Sequence, residues 1–475
     1  MSDFNPSQCE VTKAQIVSDY SGAMPEDIAQ LITGFEIIQS MDMEHYSGFL
    51  EVQDTLGVLE KYPLRAEEYM LLTINSYDLN AQITLYTRIH KISDLVPTES
   101  NNGLLYKLHF ISTESYEANK RKITQSYEAS TSEIANQVFH NHYGKLDEGT
   151  REDTLYGKEI ELPFDTLKHP LTDSLPLNKN IGKRNFYIQD SYASSGVTIP
   201  RYTPAYTMKF LSSISWSSES PSCTFRFFET LENYYFVSDE YFIRKQMGNN
   251  AKKFYYGPYG SMDPRDAAYA VNRFEKLQIN SKGNDTGSDI FSGAYRSKVL
   301  EIDLLRRRVV EHKWNYDDDA EFIDMDGVVA RNNSEESQPH TRGFREETFT
   351  EENARQFVVY KDFQSAGDIP SSRRPERFIP RIVSNRVSYY HHLNNTSIQV
   401  GMKGRFDIRP GEIIILQIPN FDAGTTERMN NHLSGKYMVR TTQHSMKYGV
   451  LSTSLTLSKF DWSGTGEIEV ENNGS

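Results

Sequence analysis

The sequence predicts a β-dominated α+β fold, in which two antiparallel β-barrels related by duplication flank an inserted mixed α+β domain. Three observations carry this expectation. Short alternating apolar runs crowd both ends of the chain, helix signals gather in the middle, and strand signatures of the first third return in the last third in the same order.

Each segment follows from its residues. The first barrel is expected over 1–114: residues 33–40 alternate, 49–53 follow, and 69–74 form a compact apolar run after the turn Pro63-Leu64-Arg65. Residues 83–92 and 104–112 are joined by a loop of turn formers. The inserted α+β domain is expected over 115–290. Ser130 and Glu133 spell a capping box, Ile134 and Val138 share a helix face, and Gly144 is a natural stop. A polar, proline-dotted stretch covers 157–204; after it Phe225, Phe228 and Leu231 recur at helical spacing, and 234–237 with 241–244 read as a hairpin over Ser238-Asp239-Glu240.

The second barrel is expected over 291–462. An acidic insertion loop at about 315–370 interrupts it, opening with Asp317-Asp318-Asp319 and reading as a solvated surface segment. Residues 379–393 suit a helix with Pro380 in its first turn. Strands return at 397–403, 413–418, 437–444 and 451–458, with turns at Arg409-Pro410-Gly411 and Lys447-Tyr448-Gly449. Residues 463–475 form a flexible tail rich in Gly, Glu and Asn.

The duplication is read from three strands. Glu68-Tyr69-Met70-Leu71-Leu72-Thr73-Ile74 parallels Glu412-Ile413-Ile414-Ile415-Leu416-Gln417-Ile418. Leu85-Tyr86-Thr87-Arg88 parallels Tyr437-Met438-Val439-Arg440, and 105–111 parallels 451–457. Strands apolar on both faces need cover on both, which another body can supply. Met70, Leu72, Ile74, Ile413, Ile415, Tyr437, Val439 and His444 are therefore the candidate interaction residues.

Composition narrows the function. A net charge of -14, from 51 basic and 65 acidic residues, lacks the basic footprint of a sequence-specific DNA reader. The 29 Tyr and 25 Phe favour strands and broad contact surfaces. Cys9 and Cys223 make no disulfide framework, which suits a reducing compartment. Neither a signal peptide nor an apolar run of about 18 residues is visible, so no membrane insertion is expected.

The stretch Gly404-Arg405-Phe406-Asp407-Ile408-Arg409-Pro410-Gly411-Glu412, the strand after it, then Ser434-Gly435-Lys436-Tyr437-Met438-Val439, His444 and the closing strand up to Trp462 resemble the baseplate hub (tail hub) family of contractile-tailed bacteriophages. That family is related to the base of type VI secretion spike proteins. The likeness is one of pattern and covers most of the chain, the 315–370 insertion excepted. It implies tube-protein-like barrels and a homotrimer whose six barrels match a threefold spike to a sixfold tube. It further implies a tail-spike protein, a tail tube or tube-initiator protein and other baseplate proteins as partners, and genomic DNA passing through the channel without sequence-specific binding. The resemblance implies a structural role without cofactor or catalysis, in the virion tail baseplate after assembly in the host cytoplasm.

Other motifs weigh less. His140-Asn141-His142 sits at a helix end without the further ligands a nuclease needs. His391 and His392 point to different helix faces. Asp324-Met325-Asp326-Gly327 departs from a calcium loop at Phe322 and Asn333. Arg306-Arg307-Arg308 reads as a solvated face. No catalytic, cofactor or metal residue is expected. The alternatives are a tail-associated cell-wall hydrolase, which needs two facing carboxylates in a cleft, and a carbohydrate-binding tail module, which needs an exposed aromatic platform.

Overall fold

The computed structural model describes residues 8–17, 26–61, 64–76, 81–98, 103–143, 151–154, 157–162, 184–192, 197–218, 222–246, 251–257, 272–280, 291–304, 306–319, 321–323, 329–331, 355–360, 378–420, 430 and 433–459. The first segment supplies β1 (Cys9–Val17), β2 (Glu26–Asp27), β3 (Ile32–Ser40), β4 (Ser47–Asp54), the short helix α1 (Val58–Lys61), β5 (Tyr69–Ser76), β6 (Ala81–Pro97) and β7 (Leu104–Ser112). These strands lie in the order β2-β1-β5-β6-β7-β4-β3, and inward-facing Leu50, Met70, Leu72, Ile74, Leu108 and Phe110 fill the barrel.

The middle of the chain supplies α2 (Thr113–Asn119), β8 (Ile123–Tyr127), α3 (Thr131–His142), β9 (Arg151–Thr154), β10 (Gly157–Leu162), β11 (Arg184–Ile188), β12 (Val197–Tyr202), α4 (Pro204–Ile214), β13 (Phe225–Glu229), β14 (Asn233–Ser238) and α5 (Asp239–Gln246). Helix α3 begins at the expected capping box, with Ser130 and Glu133 each bonding the other's backbone, and buries Ile134, Val138 and Phe139. Phe139 stacks on Phe186 of β11 at 3.9 Å, which sets the helix on the sheet β13-β14-β11-β10-β9.

Two local expectations fail here. Residues 225–229 form a strand, because Phe225 and Phe227 enter the domain core while Phe228 enters a second cluster on the other face. A strand covered on both sides reads as a continuous apolar run, which periodicity cannot separate from a helix. The hairpin partner of β14 is β13, turned at Thr230–Asn233 by a Thr230 N–H to Asn233 O bond of 2.8 Å. Residues 241–244 belong to α5, whose first turn carries Asp239 and Glu240 where the helix dipole favours them.

The last segment supplies β15 (Lys253–Tyr256), β16 (Arg273–Asn280), β17 (Arg296–Asp303), β18 (Arg308–Asn315), α6 (Tyr316–Asp319), β19 (Glu321–Ile323), β20 (Val329–Arg331), β21 (Arg355–Tyr360), α7 (Phe378–Asn395), β22 (Thr396–Lys403), β23 (Ile413–Gln417), β24 (Gly435–Lys447) and β25 (Val450–Lys459). Six of these strands close a ring in the order β15-β16-β22-β25-β24-β23 around Phe254, Val400, Ile414, Leu416, Tyr437 and Leu457. Two of the six, β15 and β16, come from residues ahead of position 291, where the barrel was expected to begin. The expected insertion contributes β21, which joins β17 and β18 in a separate sheet, and the sequence 324–328 lies outside the described residues.

The two barrels share one plan. β3, β4, β5, β6 and β7 correspond to β16, β22, β23, β24 and β25, in the same chain order and with the same neighbours. Details recur that composition alone does not require. The Glu68 carboxylate accepts from the Arg65 N–H, and that of Glu412 accepts from the Arg409 N–H at 3.1 Å. The Glu68 carbonyl accepts from Ile89 N–H and the Glu412 carbonyl from Val439 N–H, both at 2.9 Å. Bulges fall at His90 and Arg440, and again at Thr33 and Glu275. The expected alignment of β5 with β23 holds residue for residue; that of β6 with β24 is two residues off, which keeps the faces, and that of β7 with β25 is one off, which exchanges them. The sixth position differs: β1 runs antiparallel to β5, whereas β15 runs parallel to β23.

The barrels are joined edge to edge. β3 pairs with β24 antiparallel, residues 34–40 against 441–447, so one continuous sheet of 13 strands contains both. A Cβ at Gly34 would stand 2.8 Å from the Met446 carbonyl oxygen, a backbone atom that cannot yield without opening this ladder. Replacing Gly34 by Val is expected to cost about 1 to 3 kcal/mol by overpacking, read as a lower urea midpoint.

Candidate functional site

The chemistry of the molecule concentrates at the seam between the barrels. Asp42, just past β3, receives Arg440 of β24 through Nη2 at 2.7 and 2.9 Å, and the Met41 N–H donates to the Arg440 carbonyl at 2.9 Å. Arg226 of β13 reaches the same carboxylate from the inserted domain. Arg226 also makes a bidentate pair with buried Asp239, at 2.6 and 3.1 Å, and lies 4.5 Å from the ring centre of Tyr390 on α7. Burial alone would raise the Asp42 carboxyl; Arg226 and Arg440 outweigh it and hold the group below the usual range. Four parts of the chain thus meet in one charge cluster.

Beside it, His444 is fully buried, with Nδ1 at 3.1 Å from Thr453 Oγ1, Nε2 at 3.4 Å from Gln39 Nε2 and its ring 4.7 Å from that of Phe406. Burial pushes its pKa down to about 4 against the weaker opposing pull of Asp407, so it is neutral at pH 7. The segment around Phe406 is itself pinned: Arg405 grips Asp407 at 2.5 and 2.6 Å, and Lys252 bridges Asp407 and Glu412 at 3.2 and 3.1 Å. Burial would raise the Asp407 carboxyl, but Arg405 and Lys252 hold it at about 2.

A cavity of about 400 Å³ opens where the first barrel, the inserted domain and this segment meet, lined among others by Tyr46, Glu114, Arg184, Glu232, Phe406 and Arg409. Buried Arg184 lies 2.6 Å from Glu229 and 3.5 Å from Glu114, and donates to Tyr234 Oη at 3.0 Å and to the Thr230 carbonyl at 2.5 Å. Ser112 and Ser115 donate to Glu229 at 2.8 and 3.0 Å. Burial drives the Glu114 carboxyl above its ordinary value despite Arg184. Both carboxylates are engaged by Arg184 and tie α2 to β13, where a glycosidase pair would face a substrate.

The predicted interaction residues lie mostly inside. Met70, Leu72 and Ile74 face the interior of the first barrel, and Tyr437 and Val439 that of the second. Ile413 packs in the junction cluster with Met41 and Tyr389; Ile415 is half-buried on the outer face. The alternating apolar strand is satisfied within the chain: Tyr69 and Leu71, on the outer face of β5, pack with Val17 and Tyr86. His444 alone of the set sits at the seam. The sequence reading missed Asp42, Arg226, Asp239 and Arg184, since the Asp42–Arg440 pair spans 398 residues and no local pattern marks it. The helix-end His142 is held below its ordinary pKa by burial and Arg121, and Arg306 and Arg308 approach Asp303 at the β17–β18 turn.

Two outcomes test this site. Because His444 has a folded pKa below its unfolded value near 6.5, it costs nothing above that pH and destabilises progressively as pH falls from about 6.5 to about 4, by about 3 kcal/mol in all. Urea midpoints of wild type minus His444→Asn should therefore diverge across that window and be level above pH 7. Replacing Asp239 by Asn leaves Arg226 short of a buried counter-charge, and a loss of about 3 to 5 kcal/mol is expected in the same assay.

Compared with solved structures, the chain is similar to a tail protein from Neisseria meningitidis, with TM-score 0.46 and 7% identity over 95% of this chain and 98% of that one. It is similar to the 43 kDa tail protein of prophage MuSo2 from Shewanella oneidensis, with TM-score 0.45 and 9% identity over 95% and 99%. It is also similar to the E. coli c3393 protein, described as a type VI secretion component resembling T4 tail proteins gp27 and gp5, with TM-score 0.40 and 8% identity over 96% and 77%. No family model and no curated protein matches the chain.

Proposed function

We propose that this chain is a structural subunit of a contractile-tail baseplate hub, a homotrimer forming a pseudo-sixfold ring between the tail tube, or its initiator, and the central spike. The observation that carries this reading is the kind of contact between the barrels. The first barrel uses its β3 edge and the second its β24 edge, and β24 corresponds to β6, not to β3. A contact between unlike edges is heterologous, and such a contact repeats by rotation, closing into a ring when the angle allows. Three chains with two barrels each then supply six near-equivalent units, which suits a body that mates a threefold partner to a sixfold one. The resemblance around 404–412 names the setting, a phage tail, and the sequence's acidic balance suits a channel that passes DNA without holding it.

Light scattering of the chain, alone and with the spike protein of its own tail, tests the proposal. A mass near three times 54.7 kDa in either condition is expected. A persistent monomer in both would overturn it.

A further inference from the structure

We propose that the cavity between the first barrel, the inserted domain and the 404–412 segment binds a primary ammonium group, carried by a lysine side chain or by a free alkylamine, with the Glu114 carboxylate as its counter-charge. This site goes beyond the hub reading and does not rest on it.

The charges around the cavity do not balance. Arg184 of β11 meets two carboxylates, Glu114 of α2 and Glu229 of β13, and all three side chains are buried. Among the described residues one guanidinium serves both acids, so one negative charge is left over. The two acids are not equivalent. Glu229 lies 2.6 Å from Arg184 and accepts from Ser112 and Ser115 as well. Glu114 lines the cavity and meets Arg184 only at 3.5 Å. The surplus therefore falls on Glu114, on the cavity side. Its carboxyl responds accordingly: burial raises it, Arg184 opposes the rise without cancelling it, and Glu229 adds to it. A buried carboxylate short of positive charge is costly, and a ligand that brings a cation removes that cost.

The walls suit the rest of such a ligand. Tyr46, Tyr86 and Phe406 contribute aromatic rings to the lining, and rings attract an ammonium and cover a methylene stem. The volume, about 400 Å³, falls within the range of small-ligand pockets, about 300 to 1,000 Å³. An anion suits the site poorly, since Arg184 is already committed to Glu229, the Tyr234 hydroxyl and the Thr230 carbonyl. A guanidinium suits it less than an ammonium. Its fork wants two carboxylate oxygens, and Oε2 of Glu114 is the one facing Arg184, whereas an ammonium acts as a point charge. The other charges of the lining, Glu232 and Arg409, pair with each other at 2.5 Å and are half-exposed, so they mark the solvent side and part at little cost.

Isothermal titration calorimetry of the full chain tests the site, with n-pentylammonium, neutral n-pentanol, anionic pentanoate and Nα-acetyl-lysine N-methylamide as probes. An ammonium probe is expected to bind saturably at one site per chain, at least tenfold tighter than pentanol or pentanoate, a comparison that needs no variant. Glu114→Gln should weaken that binding at least tenfold, with its urea midpoint read alongside to show that it folds. Thr84→Trp, which fills the cavity and leaves its charges in place, should weaken it too. Capped lysine binding at least tenfold tighter than pentylammonium assigns the ammonium to a side chain of another protein; any other order of the two assigns it to a free amine, and both sustain the site. Pentanol or pentanoate binding as tightly as pentylammonium, no saturable binding of either ammonium probe, or unchanged affinity in folded Glu114→Gln would overturn it. None of these results alters the mass seen by light scattering, on which the hub reading stands.

Discussion

The structure depends on one ladder, the antiparallel pairing of β3 with β24. Two small barrels could each fold around their own apolar filling and remain tethered beads. Pairing 34–40 with 441–447 instead makes their walls one sheet, and it removes two hydrogen-bonding edges that would otherwise face solvent. The same hairpin completes the first barrel. Its tip, Tyr448-Gly449-Val450, lies between β3 and β1, with the Tyr448 N–H on the Thr33 carbonyl at 3.0 Å and the Cys9 N–H on the Gly449 carbonyl at 2.9 Å. No β1–β3 ladder is present among the described residues, so the second barrel closes the first while closing itself through β15 and β16.

Charge fixes the modules against this seam. Arg226, Arg440, Asp42 and Asp239 draw the two barrels and the inserted domain together, and Arg386 of α7 adds bonds to the carbonyls of Ser212, Cys223 and Phe225 at 2.9, 2.9 and 3.1 Å. Buried ion pairs are weak sources of net stability, since desolvation consumes much of the Coulomb gain. Their value here is geometric: a misplaced domain would strand a guanidinium without its carboxylate, so the arrangement is specified even where it is not strongly stabilised.

Much of this was legible in the sequence, and the limits have physical causes. The strands β4, β7 and β25 alternate because one face of each looks into a barrel, and the α3 capping box is local by nature. β13 misled because both its faces are covered, which erases the period of two. β15 and β16 went unassigned to the barrel because β15 is four residues long and β16 alternates weakly. The interaction candidates were chosen from the same kind of strand. Met70 and Ile414 are true equivalents, both inward, but Ile413 and Ile415 lie one residue off that register and so on the other face. An apolar strand announces burial without saying by what.

What the two copies have kept explains what duplication preserves. Gly48 in β4 corresponds to Ile398 in β22, and Arg88 to Met438, so side chains have diverged freely where volume can be traded across the core. The hooks at Glu68 and Glu412 and the paired bulges have not, because each is a backbone device: the carboxylate satisfies the turn's amide, and the bulge bends the strand. Bending is what lets β24 leave β23 and run past it to pair with β3. In β24 the edge beyond the bulge pairs with β3; among the described residues no strand pairs with the same edge of β6 beyond His90. Across the two copies the bulge and the turn hook are kept while core side chains vary, so what the duplication preserves is the bend of the backbone.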